Sequence, residues 1–384
     1  MKTWKLLVLI GTILICTCSL SGCWNYREVE QLAIVSAVTI DKEEGDKILV
    51  TVEIISVTES QQGSALEPVY IQASGNTFFD AVRKMVALQG KKLYWSHAKI
   101  VIISKDIARE EISSVLDFLN RDAEIREDMW VLISREEKAN AIFFVKPETE
   151  SSVAFQLDHA LRAQRAIARY PAVPLYKFLD MLSSKETAVA IPTIRLINNR
   201  GKIGTYITGS AIIKGNKLIG YLDEQESKAL LWIRDELKGG LFIVEKTGKS
   251  GINVSLEIFK NKTTLTPAIE DGKLIMKVKV RTDVTIGEIM GTENLINEQG
   301  RPILKKDAEM QVKVLLEKLI EKSQKEYKAD IFNFGEIIKQ RMPDVWKSIE
   351  KEWEEIYSDI EYKVDVEINI KGSGTIKTPL KVGY

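Results

Sequence analysis

The residue types that most often carry chemistry are few in this chain, and their positions restrict what it can do. The three cysteines, Cys16, Cys18 and Cys23, all lie near the amino terminus, and residues 24–384 contain none. A disulfide framework and a cysteine-ligated metal are therefore excluded from the body of the chain. Cys23 has the clearest chemical context, because a thiolate is a good nucleophile and two small residues precede it.

The segment before Cys23 has the charged start, apolar segment and cleavage motif of an export signal peptide. Two lysines form a positively charged start, and Leu6–Leu20 is an apolar segment shorter than a typical membrane-spanning helix. The motif Leu20-Ser21-Gly22-Cys23 matches the lipobox of bacterial lipoproteins. We therefore predict a signal peptide at 1–22, cleavage before Cys23, and a diacylglyceryl group on its sulfur that anchors the chain at the outer face of a membrane. An uncut signal anchor is the alternative, since no charge occurs from Leu6 to Tyr26.

No other constellation predicts catalysis or metal binding. The histidines, His97 and His159, are far apart in the sequence, and a catalytic zinc would need three ligands. His97 could act as a general base, but a hydrogen-bonded structural histidine is the favoured interpretation. Asp223 and Glu226 could be an acid and a base, but their spacing is that of a helix-capping box. Because nucleophile-elbow and phosphate-binding glycine motifs are also missing, we predict a protein that is not an enzyme and has no cofactor.

The charge balance argues against nucleic-acid binding, and the spacing of two tryptophans argues against a ligand-stacking site. The chain has 54 basic and 54 acidic residues, so it lacks the basic excess typical of nucleic-acid binding. Trp346 and Trp353 are seven residues apart and share one helix face. They could stack on a ligand, but packing in the core is the favoured interpretation.

The first part of the mature chain mixes strand and helix patterns. Segments rich in Val, Ile and Thr predict strands, and apolar residues at helical spacing predict helices. The predicted strands are 33–40, 48–57, 93–104, 129–134 and 188–196. The predicted helices are 25–32, 77–89, 107–119, 151–168 and 175–183, and 61–64 is predicted as a loop. This mixture predicts an α/β region over 23–197.

A polar, glycine-containing stretch at 198–204 predicts a domain boundary. Beyond it, we predict an α+β domain over 205–384, built as an antiparallel sheet packed with a long helix. The predicted strands are 206–213, 217–222, 252–260, 274–282 and 361–370. The predicted helices are 223–237, 304–327 and 345–356. The whole chain is therefore assigned to the α+β (mixed α/β), multi-domain class.

Several segments together resemble one family, the C subunits of spore germination receptors, which are the Ger(x)C lipoproteins of spore-forming bacteria. The order and spacing of these segments span nearly the whole mature chain. They are 21–33, which runs from the cysteine through Trp24 and an acidic helix into a strand; 209–222, followed by Glu226 and Trp232; and 330–335, followed by Pro343-x-x-Trp346 and Trp353.

The resemblance implies a non-enzymatic subunit of a nutrient germinant receptor. It implies a position on the outer surface of the spore inner membrane, beside two integral-membrane partner subunits of the A and B types. It also implies a mixed α/β fold of three domains, which would divide 23–197 into two subdomains. Only Cys23 transfers as a functional position, because the family offers no agreed catalytic or ligand-binding residues.

Two functions are therefore compared. The favoured one is the lipid-anchored receptor subunit. The alternative is a lipid-anchored solute-binding protein of a transporter, which should have two similar α/β lobes with a cleft between them.

Overall fold

The computed structural model describes residues 2–19, 31–60, 63–183 and 187–373. The predicted lipidation site, Cys23, lies outside the described residues, as does nearly all of the helix predicted at 25–32. The first element is helix α1 (Lys2–Ser19), which contains most of the predicted apolar signal segment. None of the described helices combines the length and apolar character needed to cross a membrane.

The larger sheet of the described part has nine strands. They are β1 (Leu32–Lys42), β2 (Ile48–Ser60), β3 (Gly63–Gly75), β4 (Lys92–Tyr94), β5 (Ile100–Ser104), β6 (Trp130–Ser134), β7 (Val189–Asn199), β8 (Lys202–Lys214) and β9 (Lys217–Leu222). Their order is β3-β2-β1-β5-β6-β7-β8-β9, and β4 pairs with the start of β1. The central strands β1, β5, β6 and β7 run parallel, and antiparallel strands extend the sheet on both sides. All of β5 is buried, as its continuous apolar run requires of a strand covered on both faces.

Helical segments cover both faces of this sheet. One face carries α2 (Phe78–Gln89), α3 (Lys105–Glu110), α4 (Ser113–Arg121) and α7 (Leu175–Ser183). The other face carries a 3-10 helix (Ala139–Phe144) and α5 (Val153–Arg162), which the short α6 (Gln164–Ile167) follows. Alternate residues of the central strands point into the two cores, because side chains alternate along a strand.

Two buried carboxylates of the sheet hold helical segments on the second face. Glu53 accepts hydrogen bonds from the backbone N–H groups of Val153 and Ala154, both at 3.2 Å, at the start of α5. Asp41 does the same for Ala139, at 2.5 Å, and for Asn140, at 3.0 Å. The unpaired N–H groups and partial positive charge of a helix start favour a carboxylate there. These acidic residues are therefore structural.

A smaller sheet has four strands, β10 (Gly240–Thr247), β11 (Ile252–Glu270), β12 (Lys273–Ile289) and β13 (Glu361–Gly372). Between β12 and β13 the chain forms α9 (Gly300–Lys322), α10 (Phe334–Arg341), α11 (Pro343–Ile349) and α12 (Trp353–Asp359). The predicted α+β class and the long helix are confirmed. One detail differs, because β13 runs parallel to β12 and the sheet is not wholly antiparallel. The helical connection explains this, since parallel neighbours need a long crossover.

Helix α8 (Glu224–Ile233) lies between the two sheets. Every residue from Ser227 to Ile233 is buried, because both sheets and α9 pack around this part of the helix. On the side of the larger sheet, the Ser227 and Ser210 hydroxyls are 2.7 Å apart. On the side of the smaller sheet, Trp232 Nε1 donates to Thr282 Oγ1 at 3.2 Å. A single helix thus contacts both sheets.

The turn after α8 is joined to both halves of the molecule by hydrogen bonds. Arg234 Nε donates to the Ile331 carbonyl at 2.7 Å, and Arg234 Nη2 donates to the Ala188 carbonyl at 3.4 Å. The buried Asp330 accepts from the N–H groups of Phe332 at 3.0 Å and Gly335 at 2.8 Å. Burial raises the pKa of Asp330 to about 6, although these N–H groups and Arg234 oppose the rise.

Several predicted elements are divided in the structure. The helix predicted at 107–119 is α3 and α4, because Glu111 is extended between them. The strand predicted at 93–104 is β4 and β5, separated by a turn in which Ala98 N–H donates to the Trp95 carbonyl. The helix predicted at 345–356 is α11, a short 3-10 segment and α12. Strands β3 and β10 were not predicted.

The predicted domain boundary at 198–204 falls on the turn between β7 and β8. The two strands are paired along their length, from Asn199 opposite Lys202 beside the turn to Val189 opposite Ile213 at the far end. The larger sheet therefore continues across the turn. The division into 23–197 and 205–384, and a further division of the first region, remain proposals. On that division, the β8–β9 hairpin of the second region would complete the sheet of the first.

We predict that Asp330→Ala lowers the free energy of unfolding by about 3 kcal/mol or more, because it leaves buried N–H groups and Arg234 without their carboxylate. Urea denaturation of the full chain at neutral pH measures this. The control is Asp359→Ala, whose exposed side chain pairs with Lys325 at 2.8 Å and should cost little, because solvent screens an exposed ion pair. Equal losses in the two variants would contradict the role of Asp330.

Candidate functional site

A cleft opens where α5, α6, β8, α8 and β10 meet. Its volume is about 510 Å³, within the range of small-molecule sites. Polar groups from the turn after α6, from β8 and from α8 reach one part of it. The apolar part of its wall is formed by Leu157, Ala160, Ile167, Ile207, Leu241 and Ile243. This cleft combines apolar walls with convergent polar groups. We therefore take it as the candidate functional site within the described part of the chain.

Glu224 is the centre of the polar network in the cleft. Its Oε1 accepts hydrogen bonds from Tyr206 OH at 2.6 Å and Thr208 Oγ1 at 2.8 Å. Its Oε2 lies 3.2 Å from Nη1 of Arg169, and the same Nη1 donates to Tyr206 OH at 3.1 Å. Burial favours a higher pKa for Glu224, but the two hydroxyls and the charges of Arg169 and Arg195 outweigh it and lower the pKa. Glu224 is therefore a paired carboxylate.

Lys228 lies one turn further along α8, on the same face as Glu224. The residue is only 5% exposed, and its Nζ donates to the Leu241 carbonyl at 2.6 Å. Burial, together with the charge of Arg169, lowers the pKa of Lys228 to about 8, while Glu224 opposes the shift. An ammonium group has three N–H donors, and this carbonyl is its hydrogen-bond partner among the described residues.

Two hydroxyls complete the cleft. Thr205 Oγ1 is buried in the wall and has no hydrogen-bond partner within the described ranges. Tyr170 OH donates to the Ala160 carbonyl at 2.9 Å, and burial raises the pKa of Tyr170 to about 12. At neutral pH the charged lining residues are Arg169, Lys228 and Glu224, which leaves one positive charge in excess. The arrangement is therefore suited to holding a negative charge.

The two histidines considered as candidates from the sequence lie apart from the cleft in the structure. His97 is exposed beside Tyr94, with ring centroids 5.7 Å apart. It has no hydrogen-bond partner in the described part, so its interpretation as a hydrogen-bonded residue was wrong. His159 Nδ1 lies 2.8 Å from Glu150 on the surface. Within the described ranges, no three His, Cys, Asp or Glu side chains are grouped to hold a metal.

Two structural interpretations from the sequence are confirmed. Asp223 Oδ1 accepts from the Glu226 N–H at 2.8 Å, and Glu226 Oε2 accepts from the Asp223 N–H at 2.9 Å, which is a complete capping box. Trp346 and Trp353 are buried with their rings edge to face, and their centroids are 5.4 Å apart. Neither pair belongs to the cleft.

The cleft residues themselves were not identified from the sequence. Arg169, Tyr206 and Lys228 come from separate segments, and no local motif joins them. The sequence gives no local signal for Lys228, because it directly follows the polar residues 224–227 and so has the pattern of a solvent-exposed helix start.

We predict that the stability of the wild type relative to Lys228→Met increases as pH rises from about 8 toward 10.5. The folded pKa is about 8 and the ordinary value is 10.5, so the unfolded chain binds more protons in this window and folding gains stability as pH rises. The gain should be at most about 3 kcal/mol. Urea denaturation of the full chain at several pH values measures it.

The control is Lys238→Met, because Lys238 is exposed outside the cleft. Its difference from the wild type should stay nearly constant across the same pH window. A difference for Lys228→Met that is flat, or that decreases, would contradict a charged, buried Lys228.

Two family models match this chain. Residues 25–196 match the model described as "Spore germination protein N-terminal domain", and residues 208–374 match "Spore germination B3/ GerAC like, C-terminal". Together these matches cover most of the chain, and they meet on either side of the β7–β8 turn.

Individual relatives match the sequence of this chain along nearly their full length. Spore germination protein B3 of Bacillus subtilis (strain 168) is 27% identical over 369 residues, which are 93% of this chain and 96% of that protein. Spore germination protein KC of the same organism is 26% identical over 386 residues, 94% of each chain. The crystal structure of the GerBC protein has the same fold, with a TM-score of 0.55 and 22% identity over 87% of this chain and 96% of that one. The resemblance found in the sequence is confirmed: the chain belongs to the Ger(x)C family of spore germination proteins.

Proposed function

We propose that this protein is a lipid-anchored, non-enzymatic subunit of a nutrient germinant receptor complex. Its family gives it a role in spore germination, and members of the family function within germinant receptor complexes. The observation that carries the proposal is the match to both family models, in order and over most of the chain. The anchor and the partners are the parts of the proposal that experiments must test.

The lipid anchor is supported by the lipobox at Cys23 and by chain length. Each buried methylene of a lipid contributes about 0.8 kcal/mol, and two acyl chains hold a protein stably where one is marginal. Eight residues lie between Cys23 and the start of β1 at Leu32, and an extended chain over that distance spans at most about 30 Å. An anchor at Cys23 would therefore keep the folded body close to the bilayer.

That closeness suits the proposed partners, the integral-membrane A-type and B-type subunits. A body held near the outer face of the spore inner membrane can meet the exposed parts of such subunits without a long linker. Anchoring confines both partners to one surface and so raises their effective concentration. The role we propose is a structural and interaction role within the complex.

The alternative, a solute-binding protein of a transporter, is less well supported. Such a protein should have two similar α/β lobes around its cleft. Here the cleft lies between a nine-stranded mixed sheet with helices on both faces and a four-stranded sheet with its own helices. The two sides are unlike in strand number and in topology, which favours the receptor subunit.

We predict that Cys23→Ala abolishes labelling by palmitate and releases the protein from the membrane fraction, because the lipid acceptor sulfur is lost. Metabolic labelling followed by fractionation measures both effects. The matched controls are Cys16→Ala and Cys18→Ala, which should keep both the label and the membrane anchor, because the lipid is attached to Cys23. Labelling that survives Cys23→Ala would contradict the lipobox assignment.

We predict that spores of a strain lacking this gene lose germination in response to at least one nutrient, while uptake of that nutrient by growing cells is unchanged. Optical density of spores and accumulation of labelled nutrient measure the two outcomes. Complementation with the wild-type gene should restore germination. Unchanged germination combined with lost uptake would favour the transporter alternative.

A further inference from the structure

We propose that the cleft between α5, α6, β8, α8 and β10 binds a small organic monocarboxylate with an apolar body. The proposed function assigns no ligand to this chain, so this inference goes beyond it. Three independent observations support the inference: a buried ammonium group with unused donors, a buried hydroxyl without a partner, and apolar walls of suitable size.

Lys228 supplies the positive charge. The side chain is almost fully buried, yet a backbone carbonyl of Leu241 is its hydrogen-bond partner among the described residues. A buried charge without an opposite charge is costly, and a bound anion would remove that cost. A carboxylate oxygen could accept from the N–H groups that Leu241 leaves free.

The other charges of the cleft are already matched. Arg169 and Glu224 form an ion pair, and Tyr206 hydrogen-bonds to both. The unmatched charge is therefore the single positive charge of Lys228. A monoanion would neutralise the cleft, whereas a cation would add a second unpaired charge and a dianion would leave a net negative one.

Thr205 gives the second polar contact. Its Oγ1 is buried in the wall of the same cleft and lacks a hydrogen-bond partner in the described part. Buried hydroxyls normally have a partner, so a ligand oxygen is a reasonable one. A carboxylate has two oxygens and can serve Lys228 and Thr205 together.

The apolar walls of the cleft favour a ligand whose carboxylate is attached to an apolar group. Leu241 and Ile243 on β10 are 42% and 47% exposed, and they face α5 and α6 across the cleft. A ligand with an apolar body would cover these side chains and gain about 25 cal/mol for each Å² of apolar surface removed from water. A carboxylate without such a body would bind more weakly.

The groups facing Lys228 determine how binding depends on pH. They are Arg169 and Tyr170 from the turn after α6, Tyr206 from β8, and Glu224 from α8 itself. Burial raises the pKa of each tyrosine, and Glu224 stays ionised because its pKa is lowered. Lys228 is thus the group that titrates near pH 8. Binding should be strongest below that pH and should weaken as pH rises above it.

The test is isothermal titration of the full chain in detergent with benzoate and 3-phenylpropionate. The matching neutral amides, benzamide and 3-phenylpropionamide, have the same apolar bodies without the charge. The variants are Lys228→Met, which keeps an apolar stem of similar length, and the control Lys238→Met. Titration of each ligand into the detergent buffer alone reports any partition into detergent.

We expect at least one acid to bind the wild type and Lys238→Met about tenfold or more tightly than its amide, with Lys228→Met losing this preference. Affinity for the acid should fall as pH rises above 8. Equal binding of acid and amide by the wild type would overturn the proposal even if Lys228→Met did not fold. Absence of binding by both acids up to about 10 mM, which would detect millimolar Kd values, would also overturn it and leave the receptor role untouched.

Discussion

The burial of α8 from Ser227 to Ile233 is the constraint on which the rest of the structure depends. A helix of ten residues has no stability of its own in water, so α8 exists because both sheets and α9 cover it. Its capping box fixes where it begins, and Trp232 inserts its ring against Phe242 edge to face, with centroids 5.6 Å apart. Because one helix fills the space between the sheets, moving either sheet would expose the same apolar residues.

The same constraint creates the candidate site. The first turns of α8 lie at the edge of the buried contact, where Glu224 and Lys228 face the cleft and not the core. Glu226 on the neighbouring face forms an ion pair with Lys322 of α9 at 2.8 Å. A helix that must be buried therefore carries its few charged residues at one end, each with a defined partner. Lys228 is the exception, since its described partner is a neutral carbonyl, and this is why we propose a ligand-binding role for it.

The sequence predicted the parts of this molecule that have a local cause. Continuous apolar runs predicted the central strands, and spacing predicted the capping box and the buried Trp346 and Trp353. The lipid anchor on Cys23 stays a prediction, because Cys23 lies outside the described residues. Edge strands β3 and β10 were missed because a strand exposed on one side has a weaker apolar pattern. The cleft was missed because Arg169, Tyr206 and Lys228 become neighbours only when the sheets pack on α8. Family resemblance supplied the role in germination, which no site residue could have indicated.

Hydrogen exchange of the full chain in increasing denaturant tests most directly whether α8 holds the two sheets together. If it does, peptides covering α8, β8 and β12 should share one opening free energy, equal to that of global unfolding. The result that would contradict this account is separate opening, in which α8 exchanges at low denaturant while β8 and β12 remain protected at different free energies. In that case the two sheets would be independent units, and the cleft between them would not be a fixed site.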